Sequence, residues 1–361
     1  MKLGRVVVAM SGGVDSSLAA ALLLTQGYEV VGVTMHLSNE SRNTASDDRG
    51  CCPLSSVDDA RRVSDVLGIP HYVMDFTEEF EHIVINYFLN EYLCGRTPNP
   101  CISCNRYIKF ERLLQKAEEL GAAYVATGHY ARVDRGEEGI YRLRKGCDHD
   151  KDQSYVLYHL NQMSLAKVLL PLGGLRKSET RRMAEAYHLP VAHKAESQEI
   201  CFVPNDDYKA YLRKNRPECT CSGEIVDPAG NPLGVHEGIA FYTIGQRKGL
   251  GIAAPQPLYV TALDPIRNRV IVGTCDEVYA HELIASDLNW TMWDVLHKER
   301  TVRAKIRYGK REAAATIAPH GDDSVRVCFA EPQRAVTPGQ SVVFYENDIV
   351  LGGGVIDAVI A

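Results

Sequence analysis

Apolar residues open the chain in a short run, Leu3 to Ala9, which glycines follow almost at once, and Val30 to Met35 forms a second run. Runs of this kind, bounded by turn residues, predict strands buried on both faces. Between them Ser16 to Gln26 predicts a helix that stops at Gly27. Strand, helix and strand at this spacing make a βαβ unit and therefore a parallel sheet. The pattern recurs. Ser55 with Asp58 reads as a capping box that opens a helix carrying Val57, Ala60, Val63 and Leu67 on one face. His71 to Phe76 predicts a third strand. Glu78 to Leu93 predicts an amphipathic helix with Phe80, Ile83, Val84, Tyr87 and Phe88 at helical spacing. After a Pro-rich loop, a helix is expected over Ile108 to Leu120 and a strand over Tyr124 to Thr127.

This alternation predicts an open, doubly wound α/β domain. A hairpin turn is expected between Asp134 and Gly139, with helices near Ser154 to Lys167 and Ser178 to Tyr187. From about Cys219 onward, Gly-, Pro- and Asp-rich turns separate short strands. The expected fold class is α/β: a parallel-sheet domain over 1–205, then two smaller β-rich domains over 206–275 and 276–361, the last a β-barrel.

Composition narrows the class. The chain has 361 residues, 45% hydrophobic and 24% charged, enough for a core that needs no disulfides or metals to fold. No apolar stretch reaches the roughly 18 residues of a membrane span, and the start reads as a strand and loop rather than a signal peptide. The 11 cysteines are therefore expected to be reduced thiols of a cytoplasmic protein. A net charge of −6 argues against a generally basic nucleic-acid coat and leaves room for a local basic track.

Ser11-Gly12-Gly13-Val14-Asp15-Ser16-Ser17 lies between the first strand and the first helix. Glycines there let backbone N–H groups approach an anion, the helix N-terminus adds positive potential, and the hydroxyls add donors. The loop lacks the GxxxxGK spacing of a Walker loop and the GxGxxG of a Rossmann turn. It resembles the PP-loop of the ATP pyrophosphatases, which cleave ATP between the α- and β-phosphates and adenylate a substrate. That resemblance implies that Ala9, Met10, Ser11, Gly12, Gly13, Val14, Asp15 and Ser16 bind ATP with Mg2+. Met35 and Gly128, at the carboxyl ends of strands, would border the adenine pocket. For Met35 alone, core packing explains the residue as well.

Four further segments, Gly95 to Asn105 (GRTPNPCISCN), Thr127 to Arg132 (TGHYAR), Lys151 to Tyr155 (KDQSY) and Glu196 to Phe202 (ESQEICF), are similar to those of the tRNA 2-thiouridylases. So is Tyr242 to Leu250 (YTIGQRKGL). The chemistry explains the residue types. A carbonyl oxygen at uracil C2 leaves poorly until AMP is attached to it. A sulfur nucleophile can then replace it, supplied by a cysteine persulfide and released by a second cysteine through thiol–disulfide exchange. The resemblance implies Cys104 as nucleophile, with Asp15 serving adenylation, and Cys201 as persulfide carrier. Cys104 is expected just before a helix, where a thiolate is stabilised. Cys94, Cys147, Cys275 and Cys328 are expected as small buried residues, while Cys51-Cys52 and Cys219/Cys221 stay unassigned.

Some family members have Asp where this chain has Cys101, which leaves Cys101 as a bystander, a resolving thiol or a metal ligand. Cys101, Cys104 and Cys201 together could hold a [4Fe–4S] cluster with one open iron. The persulfide route needs no metal, and none is assigned. The resemblance also implies tRNA contacts at Asn99, Pro100 and Cys101 beside the target base, at His129, Lys151, Asp152 and Gln153 near the active site, and at Arg307, Tyr308 and Gln340. Val302 to Tyr308 alternates apolar and basic residues and is expected to expose Arg303, Lys305 and Arg307 on one strand face. Expected partners are tRNA and a sulfur-donor protein, a cysteine desulfurase or persulfide relay, with no membrane. The competing reading is a PP-loop amidotransferase or synthetase acting on a small molecule, against which the paired cysteine loops argue.

Overall fold

The computed structural model describes residues 3–37, 54–196 and 200–360. The chain divides into two compact units: Met1–Val84 with Cys101–Asp206 and Asp348–Val350, and Ile85–Pro100 with Asp207–Asn347 and Leu351–Ala361.

The first unit is built on β1 (Arg5–Ala9), β2 (Glu29–His36), β3 (His71–Asp75) and β4 (Tyr124–Ala126). The predicted turn joins a hairpin of β5 (Ala131–Arg135) and β6 (Tyr141–Lys145), and β7 (Val168–Leu169) completes a parallel sheet of order β3-β2-β1-β4-β7. Val6, Val7 and Val8 of β1 are wholly buried, which is why the run is apolar without alternation. Helix α1 (Val14–Thr25) is buried almost all round, at Leu18, Ala19, Ala20, Ala21 and Leu23. Its alanines let it sit among β1, β2, α2 (Leu54–Leu67) and the helix Lys177–Ala186. Strand order turns back between β1 and β4, so the loops leaving their carboxyl ends flank the topological switch point, where open α/β sheets bind ligands.

Two helix starts differ from expectation. Ser55 lies within α2, which already includes Leu54, so Ser55 and Asp58 are not its cap. The helix expected from Ile108 is helical from Pro100, through Pro100–Ser103, Cys104–Arg112 and Leu113–Glu119, with wide π-type turns in the middle. Pro100 supplies the first position, where a missing N–H costs nothing.

In the second unit β8 (Gly223–Val226), β9 (Pro232–His236), β10 (Tyr259–Asp264) and β11 (Arg269–Gly273) form a sheet of order β10-β11-β8-β9. Six strands follow: β12 (Tyr279–Trp290), β13 (Arg300–Lys305), β14 (Ala313–His320), β15 (Ser324–Arg334), β16 (Ser341–Glu346) and β17 (Ile349–Ile360). Their order β12-β15-β14-β13-β16-β17 closes through pairing of β12 with β17, a barrel as expected. Val302, Ala304, Ile317, Val327 and Phe344 alternate into its core. Among the described residues no helix is long and apolar enough to cross a membrane.

Candidate active site

The loop after β1 folds on itself. Ser16 Oγ accepts from Ser11 N at 3.1 Å and donates to Gly13 O at 3.2 Å, and Ser17 Oγ donates to Gly13 O at 2.8 Å. Gly12 has φ +67°, and a Cβ there would lie 2.2 Å from the Ser56 carbonyl oxygen, so only glycine fits. From the other side of the switch point Gly128 approaches the start of α1. A Cβ on Gly128 would stand 2.7 Å from Ser16 N and 2.8 Å from Asp15 C. The two motif loops thus meet backbone to backbone, as a nucleotide crevice between β1 and β4 requires. Met35, in β2, and Met10, just past the end of β1, are buried.

Asp15 is held from two sides. Lys177 Nζ donates to both carboxylate oxygens at 2.7 Å, and Tyr130 Oη donates to Oδ1 at 2.8 Å while accepting from Thr180 Oγ1 at 2.9 Å. Burial, with the Asp15 carboxylate beside it, raises the Tyr130 phenol far above its ordinary value. Lys177, Tyr130 and Thr180 were not anticipated from the sequence. One signal was available: a lysine in the first turn of a helix opposes the helix dipole, which marks a carboxylate partner.

Cys104 lies inside the helix rather than before it, and is buried. Cys101 stands in the first turn, one turn away on the same face, and it takes the helix-start position expected for Cys104. Its side chain reaches solvent, yet the surrounding protein pushes its thiol pKa up, and the nearby Cys201 thiol pushes it further. Cys201 is exposed and lies in a turn. Cys101 and Cys201 thus lie near enough for one thiol to act electrostatically on the other. Cys94, Cys147 and Cys275 are exposed and Cys328 half-buried, against the expectation of buried residues, because each lies in a turn or on a strand face turned to solvent. Cys51 and Cys52 lie outside the described residues.

Cys104 is buried while Cys101 and Cys201 are exposed, and among the described residues no three His, Cys, Asp or Glu side chains converge to hold a metal.

Three profiles match in succession: the tRNA methyl transferase HUP domain over residues 4–205, its PRC-barrel domain over 209–274, and the aminomethyltransferase beta-barrel domain over 280–356. The tRNA-specific 2-thiouridylase MnmA 1 of Caldanaerobacter subterraneus subsp. tengcongensis is 53% identical over 98% of both chains. The tRNA-specific 2-thiouridylase MnmA of Carboxydothermus hydrogenoformans is 53% identical over 98% of this chain and 97% of its own. The chain belongs to the tRNA-specific 2-thiouridylase family. A solved 4-thiouridine synthetase–RNA complex with bound ATP aligns at a TM-score of 0.37, with 20% identity over 60% of this chain and 51% of that one, a likeness too slight to carry weight here.

Several positions expected to touch RNA in a thiouridylase are engaged within the protein. Asp152 is buried and accepts from Gly146 N, Ser154 N and Ser154 Oγ at 2.9, 3.1 and 2.9 Å. Gln153 is bound at its side-chain oxygen by Tyr130 N at 2.9 Å and donates its own N–H to Tyr130 O at 2.9 Å. Both fix the loop that carries Lys151. His129 Nδ1 pairs with Thr127 Oγ1 at 2.7 Å. Burial, with Lys109 and His159 nearby, lowers its pKa well below the ordinary range and keeps the ring neutral.

In the second unit Gln340 is likewise buried. Its amide donates to Thr97 O at 2.8 Å and Pro98 O at 3.3 Å, and Thr97 N donates to Pro338 O at 2.9 Å. Gln340 thus braces the backbone leading to Asn99 and Pro100. The expected alternation over 302–308 holds: Val302, Ala304 and Ile306 are buried, Arg303 and Tyr308 exposed, and Lys305 and Arg307 half-buried. Arg303 also binds Glu312 O at 2.7 Å, and Lys305 lies 5.6 Å from the centre of the Tyr308 ring.

Proposed function

We propose that this chain thiolates uridine at C2 in tRNA, at the wobble position, with ATP as the activating substrate. The observation that carries the reading is the close approach of two glycine loops at the switch point, where Gly128 packs on the backbone of Asp15 and Ser16 and Lys177 holds the Asp15 carboxylate. The uridine O2 attacks the α-phosphorus of ATP and pyrophosphate leaves, giving an O2-adenylate. Mg2+ enters with the nucleotide and neutralises phosphate charge. The terminal sulfur of a Cys201 persulfide attacks C2 and AMP leaves. A second thiolate then attacks the Cys201 sulfur, the S–S bond breaks toward the base, and 2-thiouridine departs, leaving a disulfide between the two cysteines that an external thiol must reduce. The donor of the first persulfide sulfur is a cysteine desulfurase or relay protein, in the cytoplasm.

By family resemblance the second thiol is Cys104. Cys101 is a second candidate for this role, because it lies one helical turn from Cys104 and the Cys201 thiol acts on its ionisation. Residues 1–205 carry the chemistry in this reading, while 206–275 and 276–361 serve RNA binding. One experiment tests the assignments: single-turnover thiolation by Cys201→Ser, Cys104→Ser and Cys101→Ala, with intact-protein mass spectrometry of the products. Cys201→Ser should form adenylate and no 2-thiouridine, and Cys104→Ser should form none. Cys101→Ala should keep reduced activity. Full thiolation by Cys201→Ser refutes the carrier assignment, and loss of the disulfide in Cys101→Ala alone hands the resolving role to Cys101.

A further inference from the structure

Lys194 reaches the phosphate loop from outside it. Its Nζ donates to the Gly12 carbonyl at 3.1 Å, and the same ammonium binds Asp59 of α2 at 2.7 Å and Ser56 Oγ at 3.4 Å. The backbone that bears it is anchored. Lys194 N donates to Val191 O at 3.0 Å, and Arg181 Nη1 donates to the carbonyls of Ala192 and Lys194, each at 3.4 Å. Val191 and Ala192 are buried in the core around α1. The adenylation and sulfur steps written above make no use of Lys194.

A trans peptide sets its C=O and the following N–H in opposite directions. Two successive peptides of the loop are fixed by their oxygens. Gly13 O takes Ser16 Oγ and Ser17 Oγ, at 3.2 and 2.8 Å, and Gly12 O takes Lys194. The N–H groups of Gly13 and Val14 therefore point away from these donors. Neither has a hydrogen-bond partner among the described residues, nor do those of Gly12 and Asp15. Successive free N–H groups of this kind form a nest for an anion. The serines belong to the loop itself, whereas Lys194 lies 182 residues further along the chain. Gly12 and Gly13 are both conformationally permissive, so without Lys194 their shared peptide can flip and turn its oxygen toward the phosphates.

We propose that Lys194 is a positioning residue for the phosphate loop, holding the Gly12–Gly13 peptide so that its N–H faces the pyrophosphate that leaves ATP. This rests on the reading of the loop as the ATP phosphate site. Asp59 offsets the charge of Lys194, so the phosphates meet an oriented peptide rather than a bare ammonium.

The test is binding of pyrophosphate with Mg2+, and separately of AMP, to the full-length protein by titration calorimetry. Lys194→Ala should raise the Kd for pyrophosphate by about tenfold or more, the worth of a hydrogen bond from a charged donor, and leave that for AMP within about twofold. Lys194→Arg, which keeps a charged donor, should come within about threefold of the wild type. A charge acting through space is screened by salt and a peptide orientation is not. The ratio of the Lys194→Ala and wild-type constants should therefore hold within about twofold between about 0.05 M and 0.5 M KCl. An unchanged Kd for pyrophosphate, an equal loss of AMP, or a ratio that collapses toward one at high salt overturns the proposal. Should Lys194→Ala fail to fold, Lys194→Gln, which keeps a neutral donor, decides: a rise of about threefold or more is expected, and no rise overturns the proposal. Wild-type protein that binds no pyrophosphate overturns the reading of the loop as well, whereas wild-type binding that the variants retain overturns the role of Lys194 alone.

Discussion

Single residues here carry roles set by what surrounds them. Gly128 lacks a side chain because backbone atoms of Asp15 and Ser16 occupy the space one would need. His159 is the opposite case, a titratable ring in a place that suits an apolar one. It is buried, and neither ring nitrogen has a well-formed hydrogen bond among the described residues. Burial, assisted by Arg106, outweighs the nearby Asn105 backbone and lowers its pKa to about 3. The sign follows from linkage. Below the unfolded value of 6.5 the unfolded chain takes up a proton that the folded ring refuses, so this site loses stability as pH falls from 6.5 toward 3. His159→Leu keeps an apolar filler and removes the proton uptake. We expect its Tm to fall less than that of the wild type between about pH 7 and pH 4, by scanning calorimetry at each pH. Parallel Tm curves would contradict the burial argument.

At the scale of elements, the sequence was most legible where the hydrophobic period is strong. The runs at β1 and β2, and the helix between them, lie within a residue or two of expectation, because burial on both sheet faces leaves no room for polar positions. The helix from Pro100 begins eight residues before the expected start at Ile108. Its first two turns, Pro-Cys-Ile-Ser-Cys-Asn, are composed like a loop, and Pro100 acts as an N-terminal signal rather than a loop residue. That difference moves Cys104 from a helix start into a helix interior. The destinations of Asp152, Gln153 and Gln340 were not legible at all, since a polar side chain's partner is fixed by tertiary contacts that no spacing encodes. Gln340 illustrates the consequence. Truncating it leaves the Thr97 and Pro98 carbonyls short of a buried donor, at about 1–3 kcal/mol. Gln340→Ala should raise KM for tRNA several-fold, with Tm lowered by a few degrees and ATP binding unchanged. An unaltered KM would mean that the 97–98 brace has no part in RNA recognition.

For the whole molecule, the net charge of −6 means that RNA affinity must come from local patches. The alternating face of β13 and its continuation supplies one. Changing Arg303, Lys305 and Arg307 together to Ala should weaken tRNA binding and reduce the slope of log K against log salt by roughly one for each phosphate that is no longer neutralised. ATP binding should not change. A salt slope equal to that of the wild type would show the row to be a solvated face, with Arg303 serving only Glu312.

The central claim is that ATP cleavage between the α- and β-phosphates is spent on one atom of one base. Purified protein given unmodified tRNA, ATP, Mg2+ and a persulfide donor should release AMP and yield 2-thiouridine on nucleoside mass spectrometry in equal amounts. Both should disappear in Asp15→Ala, which removes the carboxylate between Lys177 and Tyr130 at the phosphate loop. Thiouridine formed without AMP, sulfur at a position other than C2, or wild-type yields from Asp15→Ala would contradict the account.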